Sequence, residues 1–367
     1  MTNPTAPRPF SIPQARSMVA DLFEHRPARY WIDFWISLIV GYGAAIVFLN
    51  SELFTWYQVA AYFVAGFALF RLGSFIHEIV HMSGRTMLGF RVTWNLLAGV
   101  PMMMPSFFYG NHIDHHSAKH YGTAQDGEYL PLGNGLWKEI VGFYGQVVIL
   151  PVAVFLRFLI LTPISFLHPK LRQWTLEHAS SFVINLKYKR HIPANAPRKW
   201  WAAMDILCSI RAWLILSFVL AGAVPPHRLL QLYLLGLMAL GLNYVRNLVA
   251  HRYQSDGIAM SYESQLSDSI TIEGRSWITE LFFPLGLRYH ALHHVFATLP
   301  YHNLGKAHHR LMNQLPDDSQ YHATVHRDFA DAVLTLLKSN HEVAFSQRKR
   351  RSLKWRARRN RHLSVDS

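Results

Sequence analysis

The apolar residues of this 367-residue chain gather into long, nearly unbroken runs. Four of them, WIDFWISLIVGYGAAIVFLN (31–50), TWYQVAAYFVAGFALFRLGSFI (55–76), AMDILCSIRAWLILSFVLAGAV (203–224) and RLLQLYLLGLMALGLNYVRNLVA (228–250), reach the length that a helix needs to cross a bilayer. That length is about 20 residues for a hydrocarbon core of roughly 30 Å. A soluble core helix seldom runs so far without a polar face. The runs pair into two helical hairpins, the second turning at PPHR. Residues 137–167 are long enough for one tilted span but carry Pro151, Arg157 and Pro163, so a re-entrant or interfacial helical pair is expected there. Residues 92–108, with LLAGVPMMMPSFF, are too short and proline-broken to span and are expected to lie in the interface or against the bundle. The expected fold is all-α and integral to a membrane: two transmembrane hairpins, about four spans, and interfacial helices under a cytoplasmic histidine-rich cap.

Composition agrees, since 51% of the residues are apolar and only 16% charged, a low share for a water-soluble protein. The connections NSELFTW and AGAVPPHR hold a single Arg, whereas the N-terminal segment, the 168–200 loop and the C-terminus are rich in Lys and Arg. The positive-inside rule then puts those three basic regions, and both termini, in the cytoplasm. No signal peptide is expected, because the first 30 residues lack an apolar core. The division is a cytoplasmic segment (1–30), one membrane domain (31–345) and a basic tail (346–367). Cys208, the single cysteine, falls inside a predicted span, so disulfides play no part. The net charge of +14 does not point to nucleic acid, because nine Lys and Arg crowd into RKRRSLKWRARRNR (348–361). No recognition module accompanies them, and anionic lipid headgroups are the expected contact.

The 22 histidines refine the picture. HEIVH places His77 and His81 at i, i+4, one helical turn apart on one face. It also satisfies HExxH, in which Glu78 would be the general base of a zinc protease. NHIDHH adds His112, His115 and His116, and the same spacing returns in YHALHH as His290, His293 and His294, each triplet expected to share one helical face. Three packed imidazoles gain little from one another, whereas a transition metal uses their lone pairs. Eight clustered imidazoles exceed the three a zinc protease needs, so two metals with about four each fit better, and Glu78 becomes a helix residue or an acceptor for an imidazole N–H. NLVAH brings Asn247 and His251 to the same side, with spacing alone leaving His251 an even choice between ligand and ordinary interfacial histidine. The isolated histidines His25, His168, His178, His191, His227, His322, His326 and His341 are expected to be ordinary surface or hydrogen-bonded residues. His120, His302, His308 and His309 stand outside the boxes.

HEIVHMSG, NHIDHHSAKHYGTAQDGEYLPL and GLRYHALHHVFATLPYHNLGKAHHRL, in this order around the second hairpin, resemble the membrane fatty acid desaturase and hydroxylase superfamily over roughly residues 30–312. The last stretch is similar to bacterial acyl-chain desaturases, and the middle to the sphingolipid desaturase branch. The resemblance implies two irons, O2 as co-substrate and a bacterial inner membrane. It implies as ligands His77 and His81 from the first box, His112, His115 and His116 from the second, and His290, His293 and His294 from the third. An Asn set off by three residues from a further ligand histidine is found in the stearoyl desaturase branch, which implies that His251 is a ligand and Asn247 a water-mediated neighbour. The first box here has three intervening residues where that branch has four. Asp114, Asp126 and Glu128 are the carboxylates expected to accept from ligating imidazoles.

The chemistry so implied is hydrogen abstraction from an unactivated methylene, with no catalytic side chain beyond the metal centre. Desaturation of a fatty or lipid acyl chain is the leading expectation. Hydroxylation or ketolation of a lipid or carotenoid is the alternative, with a membrane zinc protease and a metal transporter as rivals of other classes. HPGG, CxxC and GxGxxG are all absent from the chain, so electrons are expected from a separate ferredoxin-like or cytochrome b5-like donor.

Overall fold

The structure, a computed structural model, describes residues 8–130, 136–255, 257–274 and 276–338. The predicted basic tail and His341 lie outside the described residues. In chain order the helices that build the molecule are α1 (Pro27–Asn50), α2 (Trp56–His81), the short α3 (His112–His115), α4 (Leu136–Leu156), α5 (Arg198–Leu220), α6 (His227–Leu248), α7 (His290–Val295) and α8 (Tyr301–Gln314). Strand pairing among the described residues is confined to Thr271–Ile272 beside Val325–His326 and a few isolated bridges.

Among the described residues five runs are long and apolar enough to cross a membrane, where about four spans were expected: α1, α2, Glu139–Ser165, α5 and α6. The additional one is the segment expected as a broken pair. It is continuous: Pro151 stays inside α4, Arg157–Leu161 forms a wider π turn, and Thr162–Ser165 resumes α-helix. Pro163 falls directly after the π turn, at the start of that last piece. Arg157, the other argument against a single helix, is buried and fully partnered. Its guanidinium pairs with Asp205 of α5 and donates to Ser180 Oγ and the Ala179 carbonyl, and Arg172 meets the same Asp205 at 2.6 Å. Charged groups are tolerated at membrane depth when paired in this way. By Phe182 the chain is back at the histidine-bearing end, with Phe182 N–H bonded to the Phe108 carbonyl at 2.9 Å and Ile184 N–H to that of Gly127 at 2.7 Å.

Helix α2 is the axis of the bundle, packed on both α1 and α6 and twice as enclosed as either. Small residues permit this approach: a Cβ added at Gly66 would lie 2.3 Å from Met238 Sδ on α6. The outer faces keep Ile32, Ile36, Ile39 and Ile46 of α1 and Ile206, Ile210 and Trp213 of α5 exposed, as a lipid solvent requires. Residues 88–109 lie against the bundle in short helical pieces. Trp94 is buried and donates from Nε1 to the Leu72 carbonyl at 2.8 Å, and Asn95 Oδ1 accepts from Ser106 N–H at 2.9 Å. This clamp delivers Tyr109 and α3 to the end of α2, beside His77 and His81.

Candidate metal centre

Four separate pieces of chain bring nine histidines together. His77 and His81 close α2, His112, His115 and His116 occupy α3 and its cap, His251 follows the end of α6, and His290, His293 and His294 lie on α7. His251 is set by a bridge to Ser269, and α7 is drawn alongside by the bridge between Thr271 and Tyr289. The nine divide into two groups, within each of which one nitrogen from every ring lies within 4.8 Å of those of the others: His77, His81, His112, His116 and His293, and His115, His251, His290 and His294.

This division corrects the expectation that each triplet shares one face. In both triplets the i, i+4 pair stays together, His112 with His116 and His290 with His294, while the i+3 member joins the other group. Successive residues of an α-helix point about 100° apart, so adjacent histidines cannot converge on one centre. The HxxHH spacing thus feeds two centres from one turn of helix. The groups adjoin each other, with His116 and His294 stacked at 4.2 Å between ring centroids.

Carboxylates hold the outer nitrogens unevenly. Asp126, wholly buried, approaches His115 Nδ1 with both oxygens at 2.9 and 3.0 Å while accepting the backbone N–H groups of Gly122 and Glu128. Glu128 meets His112 Nδ1 at 3.0 Å and also accepts from Tyr109 Oη and Asn111 Nδ2. His251 Nδ1 meets Tyr121 Oη at 2.7 Å, and that hydroxyl donates to Asp268 at 2.8 Å. Asp114 instead pairs with His120 Nδ1 at 3.1 Å and accepts from Tyr188, away from the nine. Glu78 accepts from Tyr30 Oη at 2.7 Å and from Tyr301 N–H at 3.3 Å, so its carboxylate ties α2 to α1 and to the start of α8. Asn247 borders the site, and its backbone carbonyl accepts from Tyr253 Oη. Tyr109, Tyr121, Asp268 and Arg246 belong to the site without having been expected there. Tyr109 and Tyr121 flank the second box, while Asp268 in SQLSDS carries no spacing signal at all.

The donor set fits metal ions. With Asp126 on one side, His115 carries its proton on Nδ1, and the Tyr121 hydroxyl, already donating to Asp268, requires a proton on His251 Nδ1. The two bare Nε2 atoms then face each other at 3.0 Å. Lone pairs at that distance repel unless a cation shares them. Imidazoles held at the usual metal–nitrogen distance of about 2.1 Å, at right angles, have nitrogens about 3 Å apart. The other Nε2 contacts match: 2.9 Å from His290 to His251, 3.1 Å from His294 to His290, 3.0 Å from His116 to His112 and 3.1 Å from His293 to His116. His77 Nε2 and His81 Nε2 are buried with no hydrogen-bond partner in the protein.

Electrostatics keep these nitrogens available. Burial first, and the neighbouring cations next, push His251, His290 and His293 well below the ordinary imidazole range, and burial does the same to His112, His116 and His294. Burial also lowers His115, but the Asp126 charge and hydrogen bond outweigh it and leave that ring more basic than usual. A carboxylate behind an imidazole strengthens it as a metal donor in this way. Burial pushes Glu128 up to about 7.

Residues 54–326 match the fatty acid desaturase family. The chain is also 38% identical over 310 residues to a ceramide hydroxylase of Caulobacter vibrioides (strain NA1000 / CB15N), covering 84% of this chain and 88% of that protein. The chain therefore belongs to the fatty acid desaturase family. Within it, the protein is a membrane oxidoreductase of the histidine-box desaturase and hydroxylase superfamily, with two histidine clusters suited to a di-iron site.

Proposed function

We propose that this protein is a lipid hydroxylase whose substrate is a ceramide-class sphingolipid. The observation that carries this reading is the extended similarity to a ceramide hydroxylase, which favours oxygen insertion over the desaturation expected from the sequence. Two irons are assigned to the histidine groups, five imidazoles on one and four on the other. When bound, the pair supplies activation of O2, placing one oxygen atom in a C–H bond while the other leaves as water with two electrons and two protons from a donor. The chain's own part is to orient and enclose. Asp126 and Glu128 fix His115 and His112, Tyr121 with Asp268 fixes His251, and the buried rings exclude bulk water. Glu78 is assigned to helix anchoring, Asn247 to the wall of the site, and Asp114 to the support of His120 and Tyr188. The basic residues of 168–200 support a cytoplasmic centre by the positive-inside rule, and a separate ferredoxin-like or cytochrome b5-like donor is assigned to that side.

The test is expression in a host supplied with ceramide, followed by mass spectrometry of the lipids. A gain of sixteen mass units that depends on O2 and on His290 is expected. Loss of two units would restore the desaturase reading. A purified protein with one zinc and no iron would reject both.

A further inference from the structure

Arg246 lies near the inner end of α6 and is only 4% exposed. Arg157 and Arg172 share the carboxylate of Asp205, but Arg246 has no carboxylate within ion-pair distance among the described residues. Its Nε and Nη2 donate to Asn243 Oδ1 at 3.3 and 3.1 Å, and the guanidinium also reaches the Tyr109 hydroxyl, itself a donor to Glu128. An arginine buried at the end of a spanning helix without a carboxylate in direct ion-pair contact is costly, and a charged group at such a place marks a candidate functional position.

Its place indicates the function. Together with Glu128, His112, His115, His251 and His290, Arg246 lines a cavity of about 10 Å³ bordered by both histidine groups. That is room for about one water molecule, too little for a lipid headgroup. A guanidinium stays charged at any pH a protein meets. As metal ligands the nine imidazoles would be neutral, so among the described residues the carboxylates behind them, Asp126, Glu128 and Asp268, would balance the charge of two divalent ions, and Arg246 opposes part of that balance.

We propose that Arg246 is a positioning residue that tunes the metal pair through its fixed charge. A cation beside both groups weakens their hold on divalent ions and favours the less positively charged, reduced state of the metals. This rests on the nine histidines being the metal ligands. A purely structural role, bracing α6 through Asn243, predicts the opposite sign, because loss of the brace would loosen the site.

The experiment uses the full-length protein in detergent with Arg246→Gln, Arg246→Met and Arg246→Lys. Zinc affinity of metal-stripped protein is read by chelator competition, and the midpoint potential of iron-loaded protein by spectroscopic titration. The neutral variants are expected to bind zinc on the order of tenfold more tightly. They should also show a lower potential, while Lys stays close to the parent. Unchanged or weaker zinc binding in the neutral variants, or a Lys variant that behaves like them, overturns the proposal. Methionine removes the charge without a polar group to bury, so a folding defect in the Gln variant leaves the test intact. A parent protein that binds no divalent ion refutes the ligand assignment and not the tuning.

Discussion

The two histidine groups differ in how they are held. In the four-membered group, His115 is gripped by both oxygens of Asp126 and His251 is tied through Tyr121 to Asp268, itself held by Tyr129 and the Gln254 N–H. In the five-membered group His112 is, among the described residues, the one ring with a carboxylate behind it, and His81 and His116 are partly exposed; unpartnered Nδ1 atoms occur in both groups, at His116 and His293 here and at His290 and His294 there. The four-membered group thus has two of its four rings anchored through buried carboxylates, the five-membered group one of five. On the proposed assignment of one metal to each group, four imidazoles would leave more of a coordination shell free than five, so the better-anchored group would be the one with room for oxygen ligands and with less redundancy to lose.

Breaking this contrast begins with the ligands. His290→Ala or His115→Ala should reduce product by at least about a thousandfold and iron from two per chain toward one, measured by lipid mass spectrometry and metal analysis. His81→Ala, one of five and partly exposed, should retain more metal than either. Equal losses at all three positions would remove the asymmetry. Next come the carboxylates. Asp126→Asn should weaken metal binding by about 10–100-fold, and Glu128→Gln by less, because Glu128 makes a single contact to one ring of five. If Glu128→Gln proves the more damaging, the anchoring of the four-membered group is not what matters.

Tyr121→Phe sharpens the same comparison at smaller scale. It leaves Asp268 and His251 without their bridge and should cost about 1–3 kcal/mol of stability, read as a lower thermal midpoint. The smallest effect is expected outside both groups, at His308. This ring is fully buried, bonded to Tyr321 Oη at 2.8 Å, and burial lowers it to about 4. Between about 4 and 6.5 the unfolded chain then binds more protons than the folded one, so stability falls as pH drops through that window. Thermal midpoints of His308→Gln should fall less steeply than those of the parent over the same range.

Much of this was legible in the sequence because bilayer thickness and helical rise act on contiguous residues. The four long runs appear as α1, α2, α5 and α6 within a few residues of their expected ends. The histidine boxes could be read for a similar reason, since i, i+4 spacing places two rings on one face wherever a helix forms. The fifth candidate span was not expected because Pro151, Arg157 and Pro163 count against a helix one by one, while the groups that accommodate Pro151 and Arg157, Gly236 and Asp205, come from elsewhere in the fold. The partition of each triplet between two groups follows from the 100° step between neighbours, a local rule, but which group each ring joins depends on what faces it.

By itself, then, the sequence determined the solvent, the helical material and the residue types of the centre, because these follow from local periodicity and side-chain chemistry. Only the tertiary structure decided which histidines group together, that Asp126 and Glu128 stand behind rings of the nine while Asp114 and Glu78 do not, and that Tyr121, Asp268 and Arg246 border the site. Those contacts join residues up to 223 positions apart, as between Glu78 and Tyr301, and no short-range pattern encodes a pairing made only when separate helices meet.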